Sequence, residues 1–196
     1  MARIEDPYHF LDLAFGYYIT GRFAAINQLN IAPNLMHHAI ELLIKFTLLK
    51  DVPQPRRSAE TVRLGQKHRH RLNALWRQYK QHVAPADLSR FDPVIADLHR
   101  WENVRYGGFP NAGASVAKSV GLVRAPVRTS KTRDIYVFGL HEMDDLFTAM
   151  FAASSINPPF VGMGYAQTAV REWYARHNQH MMPDLFGSLP LQPSDP

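Results

Sequence analysis

Apolar positions recur at spacings of three and four along most of the chain and divide it into helices. Phe10, Leu11, Leu13, Ala14, Tyr17, Tyr18, Phe23, Ala24 and Ile26 predict a helix over 7–29, with Pro7 suited to its first turn. Gly16 and Gly21 weaken that segment and permit close approach of a neighbour. The strongest pattern lies at 33–50, where apolar positions cover about 260° of a helical wheel and leave a polar arc of about 100°. His37, His38, Glu41 and Lys45 share that arc. A helix this apolar belongs at the centre of a bundle, with its polar stripe facing a groove, a partner or water.

The run Asp51-Val52-Pro53-Gln54-Pro55 ends the second helix, and residues 56–67 read as a basic loop. A shorter helix is expected from about His70 to His82, with Leu72, Leu75, Trp76 and Tyr79 inward. Pro85 opens the next, carrying Leu88, Phe91, Val94, Ile95, Leu98 and Trp101, with Pro93 placed to kink it. Residues 105–134, rich in Gly, Pro, Ser and basic groups, are either a long loop or a small hairpin built on Val116, Val120, Leu122, Val123 and Val127. Ile135-Tyr136-Val137-Phe138 is a brief extended run leading into a helix at 141–156, and a last amphipathic helix is expected at 165–180. The pattern predicts an all-α, up-and-down bundle of four to five core helices over residues 1–182, followed by a Pro-rich tail at 183–196.

Composition narrows the class. A chain of 196 residues with 46% apolar content can bury a core without staples, and zero cysteine excludes thiolate metal sites, iron–sulfur clusters, thiol nucleophiles and disulfides. No apolar run approaches membrane-spanning length, and Glu5, Asp6 and Pro7 stand where a signal peptide would begin its apolar region. The expectation is a cytoplasmic protein with no membrane partner. Charge sharpens this further. Residues 56–90 hold nine Lys/Arg against Glu60 and Asp87, and the rest of the chain is slightly acidic, so one segment supplies the whole net charge of +5. Residues 105–133 add six basic groups and no acid. Such a surface suits phosphate or nucleic acid, or serves only as a solvated face.

Candidate chemistry gathers at three places. Glu41 and Lys45 lie one turn apart on the most apolar helix, where desolvation requires further partners. His37, His38 and Glu41 also have chelating spacing, but no second ligand set accompanies them, so no metal and no cofactor are implied. His70, at the start of the third helix, could cap it or donate a hydrogen bond. Arg105 and Tyr106 precede Gly107, Gly108 and Pro110, which halt a helix abruptly; an Arg held there can receive a phosphate, with the ring beside it for a base, or can neutralise Glu41 or the last carbonyls.

Together, Gly16-Tyr17-Tyr18 with Gly21-Arg22-Phe23, His37-His38-Ala39-Ile40-Glu41-Leu42-Leu43-Ile44-Lys45, His70-Arg71-Leu72, Arg105-Tyr106 and Tyr136-Val137-Phe138 resemble the HEPN domain (higher eukaryotes and prokaryotes nucleotide-binding) over about residues 8–156. The resemblance implies a bundle of four or five helices, a homodimer, and membership of toxin–antitoxin or defence systems, some with a nucleotidyltransferase-type partner. Many members are metal-independent ribonucleases with an Arg followed after four to six residues by a His. Here that Arg maps to Arg105, and Pro110, Asn111 and Ala112 occupy the His positions. Five other Arg–His pairs meet the spacing against roughly 2.4 expected by chance; Arg171–His177 is the one placed on a late helix. Without that imidazole the proton donor or acceptor is missing. The expected function is therefore noncatalytic binding of a nucleotide or RNA by Glu41, Lys45, His70, Arg105 and Tyr106. A ribonuclease completed by an off-pattern His, or an interaction scaffold with no nucleic-acid role, are the alternatives.

Overall fold

The computed structural model describes residues 6–68, 71–105, 117–121 and 135–156, and within them it is a helical bundle. Its elements are α1 (Tyr8–Ile26), α2 (Ala32–Leu49), α3 (Gln54–His68), α4 (Leu72–His82), a 3-10 turn (Ser89–Phe91), α5 (Asp92–Arg105), β1 (Ala117–Gly121), β2 (Ile135–Gly139) and α6 (Leu140–Ala153). No described helix is long and apolar enough to cross a membrane. The expected helix at 165–180 and the tail at 183–196 lie outside the described residues.

α2 is the hub, because its apolar arc is wide enough to be covered on several sides at once. It packs on α1, α3, α4 and α5, and Met36, Ala39, Ile40, Leu43 and Ile44 are wholly buried. The α1–α2 pair is the most extensive contact in the fold. Gly21 makes this closeness possible: a Cβ there would stand 3.2 Å from the Met36 side chain. α6 closes the other side of α1, with Phe15 stacked on Phe151 at 5.2 Å and Tyr18 on Phe147 at 4.0 Å between ring centres. A hydroxyl network then ties α2, α4 and the end of α6. Thr47 Oγ1 donates to Leu43 O and lies 3.0 Å from Ser154 Oγ, while Tyr79 Oη reaches Met150 O and Ser154 Oγ. Lys50 Nζ donates to Ser154 O at 2.7 Å.

Two expectations are corrected. Residues 56–67 are not a loop. Pro55 stands in the first turn of α3, where its missing N–H costs nothing, so the proline that ends one helix opens the next. Pro93 kinks nothing, because α5 begins at Asp92 and the segment from Pro85 is a turn followed by the 3-10 turn. The small hairpin expected on Val116, Val120, Leu122, Val123 and Val127 falls, except for Val120, outside the described residues. β1 pairs with β2 in parallel, Ala117 opposite Ile135 through Gly121 opposite Gly139. Parallel strands need a long connection, not a tight turn. β2 lies against α5, with Tyr136 edge-on to Trp101 at 5.6 Å and beneath the Arg100 guanidinium at 5.0 Å.

Candidate functional site: a buried ionic cluster between α2 and α5

The polar arc of α2 does face inward. Glu41 keeps 4% of its surface exposed, and Lys45 Nζ donates to its Oε1 at 2.5 Å, so the pair expected from spacing is made in a largely dry setting. His37, one turn earlier, is wholly buried, with Nε2 3.9 Å from Glu41 Oε2. His38 Nδ1 lies at the same distance from that oxygen and remains partly exposed. Across the interface α5 contributes Leu98 O, 3.3 Å from His37 Nδ1, and Glu102, whose Oε2 is 3.8 Å from the same nitrogen.

The hydrogen bond to Leu98 O makes Nδ1 the proton-bearing nitrogen of a neutral His37, leaving Nε2 toward Glu41. Burial drives the His37 pKa below its usual value of 6.5 and outweighs the opposing fields of Glu102 and Glu41. The imidazole is thus a fixed neutral strut between two carboxylates. Toward the surface, Tyr17 of α1 sits 5.5 Å from the His38 ring, so two partly exposed rings border the cluster.

α5 ends at Arg105, three positions beyond Glu102 and therefore on the same side of the helix. The Arg105 side chain, His70 and Tyr106 lie outside the described residues. Of the five residues expected to form a site, the structure brings Glu41 and Lys45 into contact. The sequence reading missed Glu102 and the buried role of His37. Glu102 was legible in part: it follows Leu98 by four on a helix already expected, one turn before Arg105. His37 was hidden because a His on a polar arc reads as solvent-facing until the packing of α5 is known. Among the described residues no group of three His, Asp or Glu is arranged to hold a metal ion.

A second ionic centre was also not foreseen. Arg22 and Asp144, 2% and 1% exposed, join α1 to α6: Arg22 Nη1 donates to Asp144 Oδ1 at 2.8 Å, and Tyr18 Oη donates to the same oxygen at 2.7 Å. Burial and the Asp144 charge raise the Tyr18 phenol well above its usual pKa. This arrangement pairs its opposite charges internally and is closed to solvent, so it is a joint of the fold.

No family model matches the chain, and neither a curated protein nor a solved structure matches it.

Proposed function

We propose that the protein is a noncatalytic, HEPN-like binder of a nucleotide or RNA, acting as a homodimer in a toxin–antitoxin or defence setting. The observation that carries this reading is the Glu41–Lys45 pair, largely buried and flanked by His37 and Glu102 at the end of the bundle where α5 delivers Arg105. Burying this many ionisable groups costs several kcal/mol per ion, and apolar residues of similar volume would serve stability as well or better. A charged cluster at such a place supports a role in holding a ligand-binding group. In this reading Glu41 and Lys45 orient Arg105, Arg105 takes a phosphate, Tyr106 stacks on a base and His70 adds a hydrogen bond.

Binding without cleavage follows from the chemistry. His37 is neutral, but it is sealed from any ligand, so it cannot pass a proton to one. The four-to-six-residue window after Arg105 holds no His. Titration of the purified protein with uridine monophosphate and with a labelled 20-nucleotide oligo(U) tests the reading. The wild type binds both, Arg105→Ala weakens both by about tenfold or more, and the RNA is recovered intact without added metal. RNA degradation abolished by one His substitution would establish the ribonuclease alternative. No binding to either probe, together with a co-purifying protein partner, would establish the scaffold alternative.

A further inference from the structure

α1 is apolar nearly all round. Apart from His9, its ionisable acids and bases are Asp12 and Arg22, and Arg22 is buried against Asp144. A helix of this kind belongs inside a structure. α2 and α6 cover its inner sides, and its outer side is open. Seven large apolar side chains are exposed among the described residues. Six of them, Tyr8, Leu13, Tyr17, Phe23, Leu29 and Ile31, fall on α1 or on the turn that follows it, a concentration that marks an interaction surface. Spacings of three and four join Leu13, Gly16, Thr20 and Phe23 on one face, with Tyr17 beside them. The middle of that face is low. A Cβ at Gly21 would meet Met36, but one at Gly16 would meet no atom within 4 Å, so the close approach that Gly16 permits is not used within the bundle. Thr20 donates its hydroxyl to Gly16 O at 2.8 Å and so needs no outside partner for it.

We infer that the outer face of α1 is the surface on which two copies of this chain pair, antiparallel, about a two-fold axis. This rests on the homodimer of the reading above and gives it an interface, and it does not depend on the ligand. The area suffices. A half-cylinder about 28 Å long and about 11 Å across offers roughly 500 Å², so two such faces bury about 1,000 Å² in all, where specific interfaces begin. Charge sets the direction. In a parallel pair the two copies of Asp12 would face each other, whereas an axis midway between Gly16 and Thr20 sets them about 18 Å apart along the helices. Leu13 then meets the partner's Phe23 and Gly16 meets the partner's Thr20, each contact made twice. The small pair lets the helices come close enough for the large pairs to pack. Tyr17, at the edge of the face, lies 5.5 Å from the His38 ring, so the seam runs along the rim of the ionic cluster. An anionic membrane is the poorer fit, because α1 offers its headgroups no exposed Lys or Arg.

The test is sedimentation equilibrium of the full chain at tens of micromolar. The wild type runs at twice the 22.4 kDa of one chain. Gly16→Glu runs at the mass of one chain, its dimer weakened about a hundredfold or more by two glutamates brought together in the seam. Its helical circular dichroism signal equals that of the wild type, because glutamate is the better helix former and its side chain enters open space. The chain has no cysteine of its own, so oxidising a mixture of Leu13→Cys and Phe23→Cys yields a disulfide dimer that neither variant forms alone. A Gly16→Glu chain that still dimerises would overturn this face and leave the homodimer standing on another surface. Cross-linking of Leu13→Cys by itself would overturn the antiparallel pairing. A monomeric wild type would overturn the face and the homodimer together, with residues 157–196 or a different protein as the cover, and the nucleotide site would still stand or fall by its own titration.

Discussion

Arg22 and Asp144 show how much one residue pair can carry. Replacing Arg22 by Met leaves the Asp144 charge in an apolar setting with the Tyr18 hydroxyl to solvate it, and the expected loss is about 3–5 kcal/mol in urea unfolding. Arg22→Met/Asp144→Leu should recover most of that loss, because the second substitution removes the stranded charge. His37 gives a second outcome at this scale. Its folded pKa lies below its unfolded value, so the folded protein binds fewer protons than the unfolded chain as pH falls under 6.5. Stability from this residue is complete above pH 6.5 and is lost as pH drops toward the folded value. The melting temperature should therefore fall between pH 7.5 and 5.5, and His37→Leu should flatten the fall. Neither centre was readable from local pattern. Arg22 and Asp144 are 122 residues apart, and only the packing of α1 on α6 makes one the partner of the other.

At the level of elements, the helix ends are as informative as the helices. α1 and α6 both finish with a non-glycine residue in the left-handed region, Gln28 at φ 55° and Ser155 at φ 54°. Each ending satisfies its last carbonyls by the same scheme. Gln28 and Leu29 donate to Ala25 and Ala24, and Ser155 and Ile156 donate to Ala152 and Phe151. A Cβ in this conformation costs about 1 kcal/mol that glycine does not incur. Gln28→Gly and Ser155→Gly should each raise stability by up to about 1 kcal/mol, measured by chemical denaturation. The existence of α1, α2, α4 and α6 was legible because each buries an apolar stripe at a 3.6-residue period. α3 was illegible for the opposite reason, since within residues 54–66 Leu64 alone is buried, which leaves no periodic apolar signal. Prolines misled at its boundary and in α5: they mark first turns as readily as breaks, and only the hydrogen bonding of the preceding residues decides which.

For the whole molecule, the all-α bundle centred on α2 was visible in the sequence, because the apolar arc of that helix exceeded what one neighbour could cover. Tyr79 illustrates how the bundle is then held around this hub. Its hydroxyl joins α4 to the end of α6, and burial pushes its pKa up to about 12. Tyr79→Phe removes one hydrogen bond each from Ser154 Oγ, which keeps Thr47 Oγ1, and from Met150 O, which keeps the Ser154 N–H, and should cost about 1 kcal/mol. The candidate site was legible only as a pair. Spacing places Glu41 beside Lys45, but which groups surround them depends on how α5 crosses α2, and that is set by Leu98, Trp101 and the rest of the buried face.

The central claim is that ligand binding takes place where α2 and the end of α5 meet. The most direct measurement is a heteronuclear NMR titration of the labelled protein with uridine monophosphate. Shifts should concentrate at residues 37–45 and 98–106, with α6 and the Arg22–Asp144 joint silent. Saturable shifts confined to other surfaces, or none at millimolar nucleotide, would contradict it.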